Sequence, residues 1–149
     1  MLLAQEIVTE VAKVSSLERD VVKLDWESRQ KCRQRLKSEA GREIGLALPT
    51  GTVLLPGNIL YRDAEVEIVV EGAPEKVFVL RPESTEDYGL TCYQIGNLHR
   101  AIGFDNGAIL VPYEPVLENQ FCRLGFQYTI EERTFTHAAR QSAPHAHAH

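Results

Sequence analysis

The sequence changes rhythm across EGAPEK, residues 71–76, and a single repeating architecture cannot accommodate both sides. Before it, short apolar runs alternate with turn formers: DVVKLDW, KCRQRLKS, EIGLALP, TVLLPGNIL and EVEIVVE, with SEAGRE turning at Gly41. Runs of that length, rich in β-branched residues and bounded by Gly and Pro, predict a small all-β unit that ends near Gly72 and Pro74.

The second half predicts both element types. VFVLRP is a strand stopped by Pro82, and STEDYGLTCYQIGNLHRAIG opens with Ser84 and Thr85 as candidate N-caps followed by acidic residues. Tyr88, Cys92, Ile95, His99 and Ile102 then recur at steps of three and four, the period of one helical face. AIGFDNGAILVPY splits at Asn106-Gly107, a strong hairpin signal. EPVLENQFCRLGF is amphipathic, with Leu117, Phe121 and Leu124 on one side and Gly125 as its stop, and QYTIEERTF alternates as a last strand. The order β-α-β-β-α-β is the ferredoxin-like pattern. From AARQS onward the chain is small, polar and without a core, which predicts a disordered His-containing C-terminal tail. The expected class is α+β, with an N-terminal β domain at 1–73, a ferredoxin-like domain at 74–137 and the tail at 138–149.

Charge and cysteine usage narrow the functional classes. The 149 residues carry a formal net charge of -5, which argues against a nucleic-acid partner. The locally basic stretch from Arg29 to Arg42 is bordered by Asp25, Glu27, Glu39 and Glu43, and reads as a solvated face or a protein contact. Cys32, Cys92 and Cys122 are too widely spaced for a CxxC site, and no disulfide framework is expected, as in a reducing cytoplasm. MLLAQEIV is too short and too soon acidic for a signal peptide, and no apolar run reaches the roughly 18 residues of a membrane span. The expectation is a soluble cytoplasmic protein with no membrane partner.

Histidine carries the chemistry. Four of the five, His137, His145, His147 and His149, lie in the last thirteen residues, and the chain ends in HAHAH. Neutral imidazole suits transition metals, and a His-rich tract reads as metal binding. The competing reading is an expression tag, although a tag is normally an unbroken run. His99 alone would ordinarily be a surface or core residue. Three features raise it: the predicted helix C-terminus favours a cation, Gly96 one turn earlier would let another backbone approach, and Cys92 and Ile95 on its predicted face call for burial against something. Two copies of His99 across a dimer axis would bind an ion far better than one. Cys92 is read as a small core residue rather than a thiolate ligand. No nucleotide-binding loop, nucleophile elbow or HExxH motif is present, and nothing argues for an enzyme.

CYQIGNLHRAI resembles the tyrosine–hydrophobic–glycine–asparagine–x–histidine helix of the urease accessory protein UreE family, nickel metallochaperones of urease maturation. EPVLENQFCRLGF after a hairpin, the His-containing tail, and CRQRLKSEAGREIGLALPTGTVLLPGNIL are similar to that family in the same order, so the likeness covers nearly the whole chain. The resemblance implies an N-terminal domain like the peptide-binding domain of a heat-shock co-chaperone and a ferredoxin-like domain that dimerises and carries metal. It implies a homodimer that delivers Ni²⁺ to apo-urease, with the urease accessory proteins, including the maturation GTPase, as partners. The family's histidine falls on His99 and its tail ligands on His145 and His147 by position. His149 and His137 join the candidate set on residue type. Zn²⁺ and Cu²⁺ suit the same ligands. The rival readings are a peptide-binding co-chaperone-like protein with incidental metal binding, and a metal-dependent hydrolase.

Overall fold

The computed structural model describes residues 1–10 and 16–138, which fall into two compact units divided between Pro74 and Glu75. The first holds β1 (Leu2–Ala4), β2 (Glu18–Leu24), β3 (Arg33–Lys37), β4 (Glu43–Ala47), β5 (Ile59–Arg62) and β6 (Val66–Gly72). They form two sheets, ordered β1-β4-β3 and β2-β6-β5. Alternation places Val22 and Leu24, Ile44 and Leu46, and Ile68 and Val70 in one buried cluster with Leu54 and Leu60, so the inner faces of both sheets share a core.

The all-β expectation holds here, with three differences in detail. MLLAQEIV contains a strand: Leu2, Leu3 and Ala4 pair in parallel with Ile44, Gly45 and Leu46. TVLLPGNIL is mostly loop, and its strand begins only at Ile59. Arg29 does not belong to a solvated face, because it is buried and its Nε donates to the Leu24 carbonyl at 3.3 Å. Asp20 is a second buried charge. Its carboxylate accepts from the Val21 and Ala40 amides and pairs with Arg42 at 2.8 Å.

The second unit runs β7 (Glu75–Leu80), α1 (Thr85–Asn97), β8 (Gly103–Asp105), β9 (Ala108–Pro112), α2 (Pro115–Arg123) and β10 (Tyr128–Arg133). This is the β-α-β-β-α-β order, on an antiparallel sheet arranged β10-β7-β9-β8. Phe78 and Leu80 of β7 and Ile109 and Val111 of β9 pack with Ile95 of α1 and Leu117 and Phe121 of α2. Asn106 and Gly107 both take positive φ, 48° and 82°, as a two-residue hairpin between β8 and β9 requires. Ser84 caps α1, its hydroxyl accepting from the Asp87 amide at 3.0 Å, with Glu86 and Asp87 in the positive first turn.

One sequence expectation about α1 is overturned. The helical face does not continue through His99 and Ile102, because the helix ends at Asn97 and Leu98 is its C-cap. Nor does the face around Cys92 and Ile95 call for a second subunit. Ile95 is fully buried and Cys92 packs against the unit's own core. Burial pushes the Cys92 thiol up, which favours the protonated form and fits the reading of a core residue. The apolar residues that α1 exposes are Leu90 and Tyr93.

Candidate metal centre

Two helices of the second unit end in the same way with different residues. At α2, Leu124 is the C-cap, Gly125 has φ 74°, and the Gly125 and Phe126 amides donate to the Cys122 and Phe121 carbonyls at 3.1 and 3.0 Å. At α1, Leu98 is the C-cap, His99 has φ 57°, and the His99 and Arg100 amides donate to the Gly96 and Ile95 carbonyls at 3.0 and 3.5 Å. Both are Schellman caps, whose left-handed position is usually glycine. An L-residue there costs about 1 kcal/mol or more, so α1 holds an imidazole where glycine would be easier. Such strain points to function rather than to stability.

The cap turns the His99 side chain into solvent, where it is exposed. On either side of it the loop is tied down. Leu98 packs on the core cluster, and Arg100 pairs with Glu114, the N-cap residue of α2, at 2.5 Å. Ile102 also packs on that cluster, and its carbonyl accepts the Ala138 amide at 2.7 Å.

That last contact brings the end of the described chain to the same loop. After β10, Phe135 is fully buried and Thr136 crosses Gly103 so closely that a β-carbon at 103 would lie 2.6 Å from the Thr136 carbonyl oxygen. His137 Nδ1 then lies 3.2 Å from the Ile102 carbonyl oxygen. A carbonyl only accepts, so the proton of a neutral imidazole sits on Nδ1 and the lone pair on Nε2, the tautomer arrangement common among metal-ligating histidines. His137 is thereby held at a carbonyl three residues from His99, a stretch that spans at most roughly 10 Å.

His99 and His137 are therefore fixed near one loop, the first by a helix cap and the second by a hydrogen bond. Among the described residues, no three His, Cys, Asp or Glu side chains converge into a group that could hold a metal. His145, His147 and His149 lie outside the described residues. Sequence reasoning missed Gly103 and Phe135. The signal available was a glycine at the head of a β-strand, which often marks a close backbone approach.

The fold and the loop define a class: a two-unit α+β protein whose second unit carries solvent-facing histidines beside the root of a His-containing terminal segment. Comparison with known sequences specifies it further. The family model for the UreE urease accessory protein, N-terminal domain, matches residues 4–73, and that for the C-terminal domain matches residues 75–149. The urease accessory protein UreE of Deinococcus radiodurans is 42% identical over 72% of this chain and 69% of its own length. That of Synechococcus sp. (strain JA-3-3Ab) is 40% identical over 73% of each chain, and that of Staphylococcus carnosus is 33% identical over 98% of this chain and 99% of its own. The chain belongs to the UreE urease accessory protein family.

Proposed function

We propose that this protein is a cytoplasmic nickel metallochaperone of urease maturation, an accessory protein rather than an enzyme. It carries Ni²⁺ as cargo and hands it to apo-urease in company with the other accessory proteins, including the maturation GTPase. The observation that carries this reading is the joining of the Phe135–Ala138 segment to the Ile102 carbonyl. The His-bearing tail therefore starts beside the loop that presents His99. His145 lies seven positions beyond Ala138, a reach of up to roughly 25 Å, so His145, His147 and His149 can close on an ion held by His99.

The protein acts as a homodimer in which two copies of His99 share one Ni²⁺. Leu90 and Tyr93 on α1 are the apolar residues available to a second subunit, and Gly89 and Gly96 add no side chain above them. Each imidazole contributes one neutral nitrogen. Transfer proceeds by ligand exchange: tail imidazoles capture the ion, paired His99 and His137 hold it, and incoming donors from the partner replace them one at a time. Zn²⁺ and Cu²⁺ compete for the same nitrogens, so selectivity rests on supply and partner rather than on raw affinity.

Calorimetric titration of Ni²⁺ into the wild-type protein, His99→Ala and a chain lacking residues 145–149, with molar mass followed by light scattering, tests this. The expected result is a metal-free dimer whose tightest site disappears in His99→Ala, while the truncated chain keeps that site at reduced affinity or stoichiometry. Protons compete with the metal for imidazole nitrogen, so binding weakens in acid. A His99→Ala variant with the wild-type tightest site would refute the assignment, and a metal-free monomer would refute the shared geometry.

A further inference from the structure

The outer face of the β1-β4-β3 sheet is unlike the rest of the surface. The exposed residues of β3 are Arg33, Arg35 and Lys37, alternate positions that share one side of the strand. In register across β4 they meet Ala47, Gly45 and Glu43. Arg33 and Arg35 therefore stand opposite a methyl group and a hydrogen, and only Lys37 faces a carboxylate. None of the three forms an ion pair among the described residues, although the chain is acidic overall and the other arginines on its β strands, Arg19, Arg62 and Arg133, are all paired.

The far wall is apolar. Leu3 pairs with Gly45 from the other side and is 57% exposed, and Met1 is 71% exposed. The ends of both side chains lie just above the Gly45 α-carbon. The result is a trough of about 270 Å³ over β4, with guanidinium groups along one wall and, along the other, Leu3 and Met1, whose ends cover Gly45. The strands that carry the two walls are two strand spacings apart, roughly 9–10 Å, and the Met1 and Leu3 side chains lean inward over the strand between them.

We propose that this trough is a docking site for an extended acidic segment of a partner protein, one with carboxylates at alternate residues and apolar side chains between them. The match is geometric as well as electrostatic. Arg33 and Arg35 are two residues apart on a strand, about 6.7 Å, the repeat at which alternate side chains of an extended peptide recur. Carboxylates at that repeat pair with the two guanidiniums, each able to bind through two parallel hydrogen bonds. The intervening side chains fall on Leu3 and Met1. The ends of Met1 and Leu3 occupy the space above Gly45, so the peptide meets an apolar surface there rather than bare backbone. This surface belongs to the first unit and does not depend on the nickel reading.

The probe is a fluorescein-labelled octapeptide of alternating glutamate and valine, titrated into the full chain and followed by anisotropy, with lysine–valine and all-aspartate octapeptides as comparisons. The glutamate–valine peptide should bind tightest, and its affinity should fall as salt is raised. Arg33→Glu combined with Arg35→Glu should weaken it roughly tenfold or more, and Leu3→Gln, which leaves every charge in place, should weaken it several-fold. Both changes lie on the solvent side, and unaltered circular dichroism melts check that the variants fold. Equal binding of the lysine–valine peptide, equal binding by the arginine variant, or no binding by the wild type overturns the proposal. If the all-aspartate peptide, or a single-stranded oligonucleotide, binds as tightly as the glutamate–valine peptide, the face attracts charge alone and the proposal also fails.

Discussion

Gly103→Ala should release the segment that roots the tail. The added β-carbon would sit 2.6 Å from the Thr136 carbonyl oxygen and 3.0 Å from the Phe135 ring. Relaxed carbon–oxygen contacts lie near 3.3–3.6 Å, so the segment must move by roughly 0.7–1 Å. Backbone cannot give way as a flexible side-chain end can. Overpacking of this kind costs about 1–3 kcal/mol. The ceiling is set by ejecting the segment, which would expose Phe135 at up to about 3 kcal/mol and lose the Ala138–Ile102 hydrogen bond at about 1 kcal/mol. The expected loss is therefore about 2–3 kcal/mol for the second unit. Amide hydrogen exchange in the metal-free protein separates this from general weakening. Ala138, protected by the Ile102 carbonyl in the wild type, should exchange far faster in the variant, whereas amides of β7 should change only with global stability. Under the nickel reading the variant should also bind Ni²⁺ more weakly, because the tail no longer starts beside His99. If stability changes by less than about 0.5 kcal/mol and Ala138 remains protected, the packing of Thr136 on Gly103 is not what holds the segment.

Two further outcomes follow from particular contacts. His99→Gly should stabilise the metal-free protein by up to about 1 kcal/mol in urea denaturation, because glycine takes the left-handed cap without strain; a destabilised variant would contradict the cap. The second concerns Asp20. Burial alone would raise its carboxyl, but the Ser38 hydroxyl, the Arg42 guanidinium and the Ala40 and Val21 amides outweigh burial and hold it at about 2. A folded-state value below the unfolded one, near 3.8, gives stability that is complete above about pH 4 and is lost as pH falls through 2. Circular dichroism on acid titration should show Asp20→Asn less stable at neutral pH and less sensitive to acid over that window; an unchanged acid limb would remove Asp20 from the account.

Much of the second unit could be read from local chemistry. Asn106-Gly107, Ser84 and Gly125 each act within a few residues of themselves, and each behaves as its residue type dictates. The errors lie where a distant partner decides. β1 is only three residues long and has no helical or alternating signature, because its strand character comes from pairing with β4 some forty residues later. The basic stretch reads as a solvated face or a protein contact, yet Arg29 is buried and bonded to the Leu24 carbonyl. The helical pattern runs on through His99 because the spacing of Ile95, His99 and Ile102 matches a helical period and no glycine stands at the stop position. His99 fills the stop position itself, so the residue that bears the function also hid the boundary. His137 is a candidate by residue type, but its hydrogen bond to Ile102 depends on Phe135 being buried and Thr136 crossing Gly103, neither of which is written locally.

The left-handed backbone at His99 makes chirality an independent variable at this position. A D-amino acid prefers positive φ for the same steric reason that an L-residue avoids it. D-alanine, introduced by chemical ligation, would sit in the α1 cap as comfortably as glycine and would have fewer unfolded conformations to lose. D-histidine would relieve the same strain while keeping an imidazole, but its side chain would leave the α-carbon in another direction. The four combinations of handedness and side chain at one atom thus separate the ease of ending the helix from the aim of the nitrogen, whereas ordinary mutagenesis cannot relieve the strain and keep the imidazole.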